Sequence, residues 1–260
     1  MGVLQRAQQL PTIFNASALQ VDAELIHAYQ AAAPGSQAFH TRLIELVVVA
    51  VHQLAVCLFK STDSNLHRDD DLGTWRPSED LRNFYPKGPL RTLFRHTWYH
   101  DYDQYPEGVA DGVGYWVETR IFGGVVLFDR RQPGSAPDVA PDAVYIHPDL
   151  RNVTYRICRL LEDQKQQLVQ FLVSDATPPP TCPLPFRGDR NNRQRVDPEE
   201  PIETSGIYRD KWERRPPSAD DGDMRRKDVV DTFNYISEED WTAARLRGFE
   251  QKRKFLREPE

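Results

Sequence analysis

Residues 43–59 read LIELVVVAVHQLAVCLF, and how this run is housed sets the fold. Phe39, Leu43, Leu46, Ala50, Leu54 and Cys57 recur at helical spacing, and Ile44, Val48, Val51 and Ala55 widen the stripe. Only Thr41, Glu45 and His52 form a polar strip. A helix apolar over most of its circumference is a central one. A bilayer asks for about 20 mostly apolar residues and penalises charge in mid-span. With Glu45, His52 and Gln53 inside the run, it reads as a buried core helix over about 37–60 rather than a membrane span.

Upstream, Pro34-Gly35 breaks the chain and Ser36 can cap the central helix. Ser17 can cap an earlier helix reaching about Ala33, with Leu19, Ala23, Ile26 and Tyr29 on one side. Downstream, residues 61–91 are polar and irregular and read as a surface loop. Its Asp69-Asp70-Asp71 run lacks the alternation of ligand and spacer that a hard cation wants, so it reads as a solvated turn. Val113–Phe122 then alternates as a strand does, with Trp116, Glu118 and Arg120 on one face and Tyr115 on the other. Gly123-Gly124 allows a turn or bulge before a second strand, Val125–Asp129. Ala143–His147 and Val153–Cys158 complete an antiparallel meander of three or four strands. Leu161–Val173 is an amphipathic helix with Glu162 and Asp163 in its first turn, where negative charge suits the dipole. The expected fold class is α+β, with N-terminal helices packed on a small antiparallel β-meander.

Composition shifts near residue 175. Residues 176–260 hold 10 of the 20 prolines and 23 hydrophobic residues, with 17 basic and 18 acidic side chains. Such a segment does not carry enough apolar surface for a core of its own. The reading is a globular domain over 1–175 and a proline-rich arm over 176–260. The arm wraps the body through Leu184, Phe186, Ile202, Ile207, Tyr208 and Trp212, or orders only on a partner. Ser237-Glu238-Glu239-Asp240 resembles a capping box and starts a final helix to about Leu256.

The formal net charge of -6 provides no global field for a polyanion, so general nucleic-acid binding is disfavoured. Arg245, Arg247, Lys252, Arg253, Lys254 and Arg257 make the final helix locally basic, which reads first as a solvated face and second as a partner contact. Three cysteines, Cys57, Cys158 and Cys182, imply no disulfide framework and fit a reducing compartment; Cys182 alone is expected to be exposed. The start, MGVLQRAQQLP, lacks the apolar run of a secretory signal, and Arg6 stands where myristoylation wants Ser or Thr. The N-x-S/T triplets at Asn15 and Asn152 then count as chance matches. The expected localisation is cytoplasmic, or nuclear.

Residues 94–128 carry 9 of the 27 aromatics, interleaved with His96, His100, Asp101 and Asp103. Such a segment reads either as core or as the wall of a pocket for a small organic ligand. The candidate ligand-binding residues are His96, Trp98, His100, Asp101, Tyr115, Trp116, Glu118 and Arg120. His96 and His100, four apart, would share a helix face and could hold a transition metal with Asp101 or Asp103, but the spacing is weak and no metal is assigned. Glu118 and Arg120 beside Trp116 could orient a polar substrate, with Glu118 as acid or base; their bland reading is a surface ion pair. Gly108, Gly112 and Gly114 precede rather than follow a strand, so they serve turns and not a phosphate loop. No nucleophile elbow, Walker A, paired C-x-x-C or dinucleotide fingerprint occurs, and no cofactor is expected.

The stretch YPEGVADGVGYWVETRIFGGVVLFDR at 105–130 resembles a group of uncharacterised intracellular proteins of filamentous fungi. The resemblance extends through 37–60, VYIHPD at 144–149 and IYRDKWERR at 207–215. It implies no established activity and no catalytic residues; some proteins of this kind accompany specialised-metabolite pathways. The expected function is small-molecule-binding or accessory, with the pocket at 94–122. The alternatives are a metabolite-tailoring enzyme using Glu118, Arg120 or His100, and a regulatory or scaffold protein meeting a protein partner through its C-terminal arm.

Overall fold

The computed structural model describes residues 17, 19–60, 78–79, 91–149, 154–178, 180–215, 234–235 and 237–255. The expected loop 61–91 with its aspartate run falls outside them apart from residues 78, 79 and 91, as do Asn15 and Asn152.

Helix α1 (Ala23–Ala31) starts later than the sequence suggests, because Asp22 is its cap and accepts from the Glu24 amide at 2.7 Å. Helix α2 (Gln37–Lys60) is the central helix, capped by Ser36 Oγ from the Phe39 amide at 3.1 Å. It is long and apolar enough to cross a membrane by length and composition alone. Here it packs against a third helix, α3 (Val109–Phe122), and buries Ile44, Val48, Ala55, Val56 and Phe59. Its buried Glu45 is held by Arg42 and Arg130. Cys57 is exposed, contrary to expectation, because the helix turns that face outward in its last turns; Leu58 and Lys60 are exposed with it.

Residues 109–122 form helix α3, not the strand read from their alternation. Two glycines delimit it: Gly108 is the N-cap, and Gly123 ends it in the left-handed region at φ 95° with its amide on Thr119 O. A β-carbon at Gly123 would lie 1.9 Å from Phe186 O, so only glycine fits where the arm crosses the helix end.

Strands β1 (Val125–Asp129), β2 (Val144–His147) and β3 (Ile157–Arg159) form the antiparallel meander. Helix α4 (Glu162–Val173) follows. The 176–260 segment adds β4 (Arg195–Val196), the short helix α5 (Ile202–Ser205) and β5 (Ile207–Tyr208). The sheet order is β4-β3-β2-β1-β5, all antiparallel, so both edges come from this segment. Helix α6 (Glu238–Phe255) closes the described chain, with the Asp240 amide on Ser237 Oγ at 3.1 Å. The fold is α+β, with N-terminal helices, a five-stranded antiparallel sheet and a C-terminal helix.

Period-2 alternation sends the β1 side chains to two sides. Val126 and Phe128 join Ile44, Val48, Phe122, Leu168 and Phe186 in one core. Val125 and Leu127 join Trp98, Tyr99, Tyr105, Tyr115 and Ile207 in the other.

Candidate functional site

Three separate segments bring charge to one buried point. Helix α2 supplies His52, one turn beyond the core residue Val48. Helix α3 supplies Asp111 and Glu118, two turns apart on its inner face. The chain just past β5 supplies Arg209, Asp210, Glu213 and Arg214. His52 Nδ1 meets Glu118 Oε1 at 2.7 Å and His52 Nε2 meets Asp111 Oδ1 at 3.1 Å. Arg209 donates to the same Glu118 Oε1 at 2.8 Å, and the Val126 amide donates to Glu118 Oε2 at 3.3 Å.

A neutral imidazole carries one N–H, so only the imidazolium donates to both carboxylates. Burial pulls the His52 pKa down, but the hydrogen bonds to Asp111 and Glu118 outweigh it, and the net shift is upward from 6.5. Arg209 is shared as well: its Nε donates to Asp210 Oδ2 at 2.9 Å, and its Nη2 lies 3.3 Å from His52 Nδ1. A buried set of this kind recovers the large desolvation cost of each ion only through its partners. Beside it, Glu213 Oε2 accepts the amides of Arg209 at 2.9 Å and Asp210 at 3.2 Å, and Glu213 Oε1 accepts from Arg214 Nε at 3.2 Å. Burial still pushes the Glu213 pKa up. The quartet clasps the arm to the two central helices. Both His52 nitrogens are engaged by side chains of α3.

Tyr115 joins this network to the aromatic core. Its ring lies 4.7 Å from His52, 4.6 Å from Tyr99 and 5.6 Å from Tyr105. Trp98, Tyr99 and Tyr115 are exposed by 1%, 0% and 1%, so these rings are packed as core side chains pack. Tyr99 Oη meets His147 Nδ1 at 3.0 Å. His96 Nδ1 accepts from the Trp98 amide at 3.1 Å, which leaves its proton on Nε2, donated to His147 O at 3.2 Å. Burial holds His96 neutral, its pKa lowered to about 4, and burial beside His96 and Arg214 lowers that of His147 as well.

The structure separates the residues that the strand reading put together. Glu118 faces the interior at 0% exposure, whereas Arg120 is exposed and stacks over Trp116 at 5.2 Å on the outer side of α3. In a helix, 116 and 120 are neighbours and 118 lies across the axis; the face shared by Trp116, Glu118 and Arg120 does not exist. Nor do His96 and His100 share a helix face, since His96 pairs with Tyr99 in an isolated antiparallel bridge. His96 is buried and His100 half-buried. Asp101 is buried and accepts from the Arg215 amide at 3.3 Å. Among the described residues, no group of three or more His, Cys, Asp or Glu side chains is arranged to hold a metal ion.

The sequence reading missed His52, Asp111, His147, Arg209 and Glu213 as site residues. His52 did carry a signal, an imidazole two-thirds of the way along a largely apolar helix. Arg209 carried none, because its partner lies 91 residues away. A scan against protein-family models, a search of curated proteins and a search of solved structures each found no match.

Proposed function

We propose that this chain is an accessory protein of the cytoplasm or nucleus that works by binding another protein chain through its C-terminal arm. The observation that carries this reading is on helix α6. Leu246 and Phe249, three residues apart, are each 59% exposed. The helix is held to the body elsewhere, by buried Ala244 and by Asp240 on Arg156 at 3.2 Å. Large apolar side chains displayed together on an anchored helix are what a docking surface needs. The filled aromatic core and the self-paired charges around His52 support looking to the surface. The test is chemical crosslinking of the full chain in its native extract, followed by mass spectrometry. Crosslinks from α6 to a second chain are expected in the wild type and lost in Leu246→Glu/Phe249→Glu; an identical pattern in both proteins refutes the reading.

A small-molecule reading keeps one observation in its favour. Phe94 and Trp116 meet at 4.9 Å and the exposed Arg120 lies over the indole, so that Phe94 and the outer side of α3 make an aromatic and cationic wall. Indole fluorescence of wild type and Trp116→Phe against a metabolite panel tests it, and a response that survives the substitution excludes this wall.

A further inference from the structure

The chain running from Phe186 into β4 reads RGDRNNRQR over 187–195. Arg187, Arg190 and Arg193 are exposed, and among the described residues none of these three guanidinium groups has a hydrogen-bond or ion-pair partner. Arg130, Arg131, Arg156, Arg209 and Arg214, by contrast, each hold a carboxylate. The backbone beneath the three is braced. Asn192, 1% exposed, donates from Nδ2 to Arg159 O at 2.8 Å and accepts the Asp189 amide on Oδ1 at 3.1 Å. Buried Arg195 donates to Asp189 O at 2.9 Å and to Asn192 O at 3.1 Å. Gly188 lies so near β3 that a β-carbon there would stand 2.9 Å from Cys158 Sγ. The one acid of the stretch, Asp189, is turned onto its own chain and accepts the Asn191 amide at 2.7 Å.

We infer that Arg187, Arg190 and Arg193 form a docking surface for an acidic segment of the partner chain, a short run of Asp and Glu side chains. This rests on the reading above that the C-terminal arm binds a protein, and it adds a second contact on the arm and the chemistry of what that contact meets. Charge complementarity carries the argument. Three arginines against one aspartate leave 187–193 locally positive on a chain of net charge -6. All three are arginine, whose planar fork takes a carboxylate through two parallel hydrogen bonds. The braced backbone lowers the ordering cost of binding. A membrane would ask for apolar side chains to insert, and a single-stranded nucleic acid for aromatic rings to stack on its bases; 187–195 contains neither. The acidity of the whole chain also opposes a long polyanion, which leaves a short acidic run as the fit.

The test is fluorescence anisotropy of a labelled oligoglutamate peptide titrated with the full chain. Binding is expected, weakening severalfold between about 0.05 and 0.5 M salt as the Debye length shrinks. Arg187→Gln/Arg190→Gln/Arg193→Gln should lose about tenfold or more in affinity with unchanged thermal unfolding. Lys60→Gln/Arg91→Gln/Lys211→Gln makes the same change in net charge at other exposed positions and should bind as the wild type does. Absence of binding to the wild type, equal weakening in both variants, or no weakening in the first overturns the inference. So does tighter binding of oligothymidylate or of phosphatidylserine vesicles through the same three arginines. The crosslinking experiment separates this inference from the reading beneath it. If the peptide does not bind and the arginine variant keeps every crosslink from the arm to a second chain, the surface at 187–193 is wrong and the docking reading stands. If the wild type forms no crosslink from its arm to a second chain, both fail.

Discussion

Arg209 Nη1 donates to Glu118 Oε1 at 2.8 Å, and both side chains are within 3% of complete burial. The residue just after β5 is thereby pinned to the inner face of α3. Arg209→Met should destabilise the protein by about 3–5 kcal/mol, because it takes the guanidinium from a buried carboxylate that then keeps only His52 and the Val126 amide. Denaturant unfolding measures the loss. A change below about 1 kcal/mol would mean the pair is dispensable.

Gly114 lies under the His52 imidazole. A β-carbon there would stand 2.6 Å from His52 Cε1 and 2.7 Å from both ring nitrogens. Gly114→Ala should push the ring off its two carboxylates and cost about 1–3 kcal/mol, against the gain that alanine normally brings to a helix. A stabilised Gly114→Ala variant, read by thermal melting, would contradict the packing described for α2 on α3.

The histidines should shape stability on opposite sides of neutrality. His52 has its folded pKa raised above 6.5, so its contribution is complete below about pH 6.5 and fades as pH rises through the folded value. His96 and His147 have theirs lowered, so their contribution is complete above about pH 6.5 and is lost as pH falls, for His96 through about 4. Unfolding free energy measured across pH should therefore fall on both limbs. His52→Gln should flatten the alkaline limb and leave the acid limb in place; an unchanged alkaline limb would remove His52 from the account.

Thiol labelling should divide the cysteines two to one. Cys57 and Cys182 are exposed, whereas Cys158 is buried and burial raises its pKa to about 11. An alkylating reagent at neutral pH should modify two thiols quickly and the third only after denaturation. Fast reaction of all three would mean that β3 opens readily.

The pattern along the chain located the central helix, the β1–β3 meander, helix α4 and the capped start of α6, because each has a strong local signature. Helix α3 escaped it for a reason tied to the site. Its inner face carries Asp111, Gly114 and Glu118, so no apolar stripe marks the buried side, and the alternation of Val113, Tyr115 and Val117 reads as a strand. Strands β4 and β5 are two residues each, too short for any periodicity to show.

The order of residues was enough to say that an oily helix lies at the centre of a mixed fold and that a proline-rich, charge-balanced segment follows. It could not say which charges meet. His52 finds Glu118 across 66 residues and Arg209 finds it across 91, pairings that exist only once α2, α3 and β5 are packed together. Hydrophobic pattern is local and survives in the linear chain. The pairing of buried ions depends on distances of a few ångströms that folding alone creates.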